Sequence, residues 1–502
     1  MKRLLILLLL LPLSTASLAS LHAQDAPGAS LDVHESTLAN GMRVLVLPRP
    51  GAPTVSFVVQ YAVGSVNEHV GSTGIAHLLE HLLFKGTTTV GTRDLDAEQA
   101  LFRRMDAVHD TLLERRAGPR PDSAEIVRLA GQIRLLEDSA RAHVESNEFD
   151  HLLTRQGARN LNATTSVEAT TYYVQLPANR VELWFMLEAD RMRNPVFREF
   201  YSERDVVLEE RRMRVDDSPA GRLYEAHMAA AYRAHPYGVP VIGWMSDLEV
   251  LSRPQVQAYY QRYYGPGNAV VAIVGDVDPT QMELWARQYL EGIPAGERPP
   301  PVLTREPPQQ GERRVSVEFD AAPALRIGWH VPDALHEDLP ALAMLSSLLT
   351  GGRTSRLYRR LVVEERVATT VTTSTGPGLL HPGLFQIDVT PRAPTTPAEV
   401  EAIVYREMER LKDAPPLEDD LERVRSQILA GDVRRLQSSL GLALQLAESA
   451  ALLGDWRETF RLSQRIRAVR AEDIQRVVQR YFTASNRTVA TLVRPGDGGA
   501  PQ

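Results

Sequence analysis

The 502-residue chain contains no cysteine. No disulfide can brace it, an N-terminal lipid-anchoring cysteine is excluded, and any bound metal must be held by His, Asp or Glu. Positive charge is not in excess: 56 Lys and Arg stand against 63 Asp and Glu. The formal net charge is −7, which argues against a nucleic-acid binder, since such proteins carry a basic stripe. Beyond the N-terminal region no run reaches eighteen uninterrupted apolar residues, so no later segment has the length of a spanning helix.

Hydrophobic residues make up 43% and charged residues 24% of the chain, values of a globular protein. The length exceeds what one core organises, so two or more domains are expected. At the N-terminus Lys2 and Arg3 precede the apolar run Leu4 to Leu11, then Pro12 and small residues. This layout predicts a signal peptide over residues 1–23, and hence an exported, periplasmic protein. Cleavage after Ala19 (with Ser17 three positions in) competes with cleavage after Ala23, and an uncleaved anchor helix is the other reading. Removing residues 1–23 deletes two cations and no acid, which takes the net charge to −9.

The sequence repeats itself. "QAYYQRYYGPGNAVVAIV" (257–274) aligns without gaps on "QRVVQRYFTASNRTVATL" (475–492) at an offset of 218. Gln261, Arg262, Tyr263, Asn268, Val271 and Ala272 fall on Gln479, Arg480, Tyr481, Asn486, Val489 and Ala490. Each copy reads as a helix, a turn and a short apolar strand. Nearer the start of each half, "TVSFVVQYAVG" and "ALRIGWHVPD" both read as strands leading to helices, "GIAHLLEHLLFKGT" and "LPALAMLSSLL". Setting Ala76 on Ala343 gives an offset of 267. The two offsets differ by 49, so the first half must hold an insertion. Residues 95–144 supply it, with two amphipathic patterns separated by "AGPRPD". Leu101, Met105, Val108 and Leu112 form one stripe, and Ile126, Leu129, Ile133 and Leu136 the other. A projecting helical hairpin is expected. The organisation predicted is α+β: a first domain over 31–294, a Pro-rich linker over 295–312, a second over 313–495, and a tail over 496–502.

The helix "GIAHLLEHLLFKGT" interrupts its leucines with His77, Glu80 and His81. Residues i and i+4 share a helix face, so His77 and His81 can offer imidazole nitrogens to one point, with Glu80 beside it. That pairing suits zinc, and the carboxylate suits a general base. Catalytic zinc takes a third protein ligand. "YSERDVVLEERRMRVDD" places Glu203 and Glu210 seven apart on one helix face, able to supply a ligand and a partner that orients one. A solvated charged face would look the same from spacing alone. The repeat acts as an internal control. At these offsets His77, Glu80 and His81 fall on Met344, Ser347 and Leu348, while Glu203 and Glu210 fall on Leu421 and Ile428. The fold therefore does not need the polar groups, and their presence calls for a chemical reason.

"HLLEH" is the inverted zinc motif H-x-x-E-H. With "NLNATTSVEATTYY", "ERDVVLEERR", "HPYGVPVIG" and "YYGPGNAVVAIVGDVD", the chain resembles the pitrilysin/insulinase metallopeptidases of the bacterial and mitochondrial-processing type. The resemblance implies two homologous α/β-sandwich domains closing as a clam-shell. It implies one zinc held by His77, His81 and Glu210, Glu203 behind them, and Glu80 as general base. It implies Asn162 and Ala163 on an edge strand that takes a peptide substrate by β-augmentation. Relatives often carry an Arg and a Tyr in a second-half stretch matching "LVVEERVAT". Here Val362 and Thr369 stand at those positions. The resemblance therefore also implies a homodimer, or a heterodimer with a metal-free subunit that supplies the pair. The competing expectation is a non-catalytic, metal-containing assembly subunit.

Overall fold

The computed structural model describes residues 31–297 and 299–496. The expected signal peptide and most of the tail lie outside them. Among the described residues no helix is long and apolar enough to cross a membrane.

The architecture is the expected α+β pair of helix-covered sheets. In the first half the strands are β1 (His34–Thr37), β2 (Arg43–Pro48), β3 (Thr54–Tyr61), β4 (Arg159–Thr165), β5 (Thr170–Pro177) and β6 (Ala269–Gly275). They lie in the order β1-β2-β6-β3-β5-β4, which leaves β4 at an open edge. The second half holds β7 (Arg313–Glu318), β8 (Ala324–Val331), β9 (Ala368–Gly376), β10 (Gly383–Pro391) and β11 (Arg487–Val493), ordered β7-β11-β8-β10-β9. In each sheet the last strand of the half inserts in parallel beside an early one, β6 against β2 and β11 against β7.

The 218-residue repeat is structural to the residue. Helix Arg253–Tyr263, turn Pro266–Asn268 and strand β6 recur as helix Ala471–Tyr481, turn Ala484–Asn486 and strand β11. The shared Asn explains itself. Asn268 Nδ2 donates to Tyr263 O (2.9 Å) and Ala62 O (3.3 Å), and Asn486 Nδ2 to Tyr481 O (2.8 Å) and His330 O (2.9 Å). In both halves one amide ties the helix end to the neighbouring strand's exit.

β6, "AVVAIVG", is buried on both faces. Val271 and Ile273 join the first half's own core. Val270, Ala272 and Val274 instead meet Leu442, Leu446 and Ala450, on helix Ser439–Leu453 of the second half. The exchange is reciprocal: helix Pro219–Ala231 of the first half lies on the second sheet, where Leu223 packs with Ala490 and Leu492. Its His227 is fully buried, and Nε2 faces Thr488 O at 3.2 Å. Gly328 makes the room, since a Cβ there would sit 2.6 Å from the imidazole Cε1. Each half thus covers the back of the other's sheet. The joint is completed by Glu168, whose carboxylate accepts from the Tyr237 hydroxyl and from the N–H groups of Leu379 and Leu380 across the halves.

The linker is less idle than its composition suggests. Glu306 accepts from the N–H groups of Arg233, Ala234 and His235, and so fixes the turn that follows helix Pro219–Ala231. The insertion forms helices Leu95–Ala117 and Ser123–Arg141, and a bridge between Thr92 and Val144 closes its base. Its buried stripe differs from the expected one on the first helix, where Phe102, Met105, His109 and Leu112 are buried while Leu101 and Val108 are only partly covered. The hairpin lies against the first half and packs on the start of helix Phe200–Arg211, which rotates the buried face towards that helix.

Candidate metal centre

The motif helix, Ile75–Leu82, starts at Gly74, whose φ of 86° puts it in the left-handed region. A Cβ there would approach Ile242 O to 2.6 Å, so the start is reserved for glycine. Glu68 accepts from Gly74 N (2.8 Å) and Ala76 N (2.9 Å), which satisfies free donors of the first turn. Burial nonetheless pushes its carboxyl up to about 8. Ile75, Ala76, Leu78, Leu79 and Leu82 anchor the helix in the core, and the polar residues face a second helix, Phe200–Arg211.

That second helix delivers both glutamates. His77 Nε2 lies 3.6 Å from Glu210 Oε1, and His81 Nε2 lies 3.6 Å from Glu210 Oε2. Ligand atoms of His77, His81 and Glu210 all fall within 4.8 Å of one another. Glu203 sits behind, with Oε2 3.4 Å from His81 Nδ1. Glu209 points away to solvent and pairs with Arg212. Glu80 is beside the cluster, and its Oε2 accepts a 2.6 Å bond from the Thr165 hydroxyl at the end of β4. Asn162 is exposed on edge strand β4 and Ala163 is buried, and both line the same cavity of about 870 Å³ as His77, Glu80 and His81. The Asn162 Oδ1 takes the Ala163 N–H at 2.9 Å.

The electrostatics divide the two imidazoles. Burial, helped by His81 and Arg214, drives His77 down to about 3, so it is a neutral donor. For His81 burial works against the charged ring, but the Glu203 hydrogen bond and the Glu210 carboxylate outweigh it and raise the pKa. Burial also raises Glu80, against the pull of the Thr165 hydroxyl. Glu203 is lowered, because hydrogen bonds from His81 and Lys85 overcome its burial.

Sequence reasoning did not reach four residues here. Lys85 Nζ holds Glu203 Oε1 (2.5 Å) and Glu199 Oε2 (2.9 Å). Arg214 Nη1 pairs with Glu210 Oε1 at 2.7 Å. Thr165 and Glu68 are the other two. Arg214 stands four residues after Glu210, so the helical spacing that linked His77 to His81 could have found it, whereas Lys85 lies past the end of the motif helix at Leu82 and reaches the glutamates of another helix. Thr165 is 85 positions from Glu80 and leaves no such signal. At the other end, Val362 packs against the second half's core, and the Thr369 hydroxyl donates to Thr390 O (3.2 Å). In the second half Met344 and Leu348 are fully buried, so the positions of both histidines serve packing there.

The chain's similarities to known proteins agree on one family. The insulinase (peptidase family M16) model matches residues 43–101 and 138–243, and the model described as the peptidase M16 inactive domain matches 251–428. The gap in the first match, 102–137, falls within the helical hairpin. The zinc protease PqqE of Helicobacter pylori is 29% identical over 96% of this chain and 98% of its own. An uncharacterized zinc protease of Mycobacterium leprae is 30% identical over 68% of this chain and 65% of its own. Among solved structures, a protease from Helicobacter pylori superposes with a TM-score of 0.78 at 26% identity, covering 92% of this chain and all of that one. The periplasmic protease PqqL of Escherichia coli shares the fold, with a TM-score of 0.69 at 18% identity, over 93% of this chain and 48% of that one.

Proposed function

Because the chain belongs to the insulinase (M16) peptidase family, we propose that it is a zinc-dependent endopeptidase acting on peptides or unfolded segments. The observation that carries the reading is the convergence of His77, His81 and Glu210 beside Glu80, in a cavity bordered by an open strand edge.

The donor set fits zinc. Two ligands of a tetrahedral zinc lie about 3.4 Å apart given bonds of about 2.1 Å, and the imidazole-to-carboxylate distances are 3.6 Å. Among the described residues Nδ1 of buried His77 has no hydrogen-bond partner, so no second bond orients this ring as Glu203 orients His81. Zinc in this position supplies Lewis acidity towards a scissile carbonyl and lowers the pKa of water. The chain does the rest. Glu203 accepts from His81 Nδ1 and presents Nε2 as the donor, while Lys85 neutralises Glu203. The edge of β4 near Asn162 and Ala163 pairs with an extended substrate backbone. Glu80, exchanging its Thr165 bond, takes the proton of the attacking water and hands it to the leaving amine.

Val362 and Thr369 offer no charged or phenolic group to a substrate carbonyl. Oxyanion stabilisation is worth roughly a hundredfold in rate or more, so our reading includes a homologous second subunit that supplies it. The same two residues favour the second reading, a metal-containing subunit without catalysis. We also place the protein in the periplasm, on the sequence pattern of residues 1–23. The test is zinc content and turnover of a quenched peptide library by wild type and Glu80→Gln, with and without a homologous subunit. Expected are about one zinc per chain in both proteins, and turnover only with Glu80. Full zinc with no turnover in any combination would instead establish the non-catalytic subunit.

A further inference from the structure

The hairpin Leu95–Arg141 has no counterpart in the second half, and 102–137 falls in the gap of the family match. Its inner face nevertheless meets one particular place, the first turn of the helix that carries Glu203 and Glu210. The repeat shows what that turn lacks. In the second half the equivalent helix, Glu418–Gln437, opens with Glu418, Asp419 and Asp420. Those carboxylates complement the free N–H groups and the positive end of the helix dipole. The first-half helix, at the same repeat offset of 218, opens with Phe200, Tyr201 and Ser202. Its one acidic first-turn residue, Glu203, is turned to His81 and Lys85. Its N-cap, Glu199, sits in the left-handed region (φ 52°), makes no capping bond and gives its carboxylate to Lys85.

Glu203 N is the first amide with an intrahelical partner, Glu199 O at 2.8 Å. The Ser202 N–H would be left over. The hairpin takes it. Glu137, 6% exposed, accepts through Oε1 at 3.1 Å, and Arg141 Nη2 donates to Ser202 Oγ at 2.8 Å. Around this contact Glu98 and Arg198 form an ion pair with both side chains fully buried (2.6 Å), and Arg204 reaches His109 on the hairpin (3.2 Å). Phe102, Met105 and Ala140 share the core with Phe197, Phe200 and Tyr201.

We propose that the hairpin is the N-terminal cap of the glutamate helix, and that Glu137 is a positioning residue for the metal centre. The proposal rests on the reading that His77, His81 and Glu210 hold a metal. Ser202 adjoins Glu203, so a first turn that frays releases the carboxylate behind His81. Metal sites tolerate shifts of only about 0.2 Å in their bonds. Glu203 cannot serve its own helix N-terminus while it holds His81 and Lys85, and the insertion does it instead.

The test compares Glu137→Ala with Glu137→Gln, which keeps an acceptor oxygen. Amide hydrogen exchange over residues 200–206 is measured on metal-free protein, and zinc affinity by competition with a chelating dye. Glu137→Ala should speed exchange in this segment and weaken zinc binding about tenfold, the lower range for loss of outer support. Glu137→Gln should restore both towards wild type. Should Glu137→Ala not fold, Glu137→Asp, which retracts the carboxylate by one methylene, gives the same comparison. Wild-type exchange in Glu137→Ala, or faster exchange with unchanged zinc affinity, would overturn the proposal. A wild-type chain that binds no zinc overturns the metal reading, and exchange alone then decides the cap.

Discussion

Replacing His227 by Gln should flatten the acid limb of this protein's stability. His227 leaves the first half to sit, with no solvent exposure, against β11 of the second. Burial, reinforced by the nearby Arg326 and His330 and only partly offset by the Thr488 carbonyl, lowers its pKa to about 3. In the unfolded chain the same group titrates near 6.5. The folded pKa is therefore depressed, and below pH 6.5 the unfolded state takes up a proton that the folded state refuses. Stability contributed by the neutral ring is fully present above 6.5 and is lost as pH falls towards 3. The slope is about 1.4 kcal/mol per pH unit, hence about 2 kcal/mol between pH 6.5 and pH 5. Gln keeps a donor for Thr488 O, fits the space left by Gly328 and does not titrate. Denaturant unfolding at pH 7.0, 6.0 and 5.0 should show wild type losing about 2 kcal/mol more than His227→Gln. Parallel pH slopes for the two proteins would refute the argument.

Three more outcomes are expected. Glu203→Ala should weaken zinc binding 10- to 100-fold, or about 1.4–2.7 kcal/mol, since it removes the partner of His81 Nδ1; a dye-competition titration with less than a threefold change would contradict this. Leu446→Ala, at a fully buried position between the second half's helix and the first sheet, should cost about 2–5 kcal/mol in unfolding free energy. Thr165→Val should remove the hydroxyl that lowers Glu80 against its burial. The base then needs a higher pH to ionise, so the acid limb of kcat/KM should move to higher pH, and Thr165→Ser should return it.

Repetition made much of the fold readable. One ungapped alignment at 218 located the helix, turn and strand that close both sheets, because the Asn268 and Asn486 clips demand the same spacing in each. The same comparison marked His77, His81, Glu203 and Glu210 as additions to a scaffold that works without them, and the structure brings all four together. Local spacing carried Arg214 as well, though a pattern of ligands draws the eye from the cation that steadies one of them. Contacts between distant segments left no trace. Thr165 meets Glu80 only after β4 pairs with β5, and Glu168 meets Leu379 only after the halves join. The hairpin's buried stripe turned from Leu101 and Val108 to Phe102 and His109, because periodicity reports that a face is buried but not which neighbour buries it.

The exchanged helices have a consequence for synthesis. β6 completes the first sheet at Gly275, but the helix that roofs its far side begins at Ser439, over 160 residues later. At about 5–20 residues per second, Val270, Ala272 and Val274 face water for roughly 10–30 seconds after their strand has been made. A fragment ending in the linker would stay in that condition permanently, and should be collected by chaperones or aggregates. The chain matures as one unit, and its last hundred residues decide whether its first three hundred stay in solution.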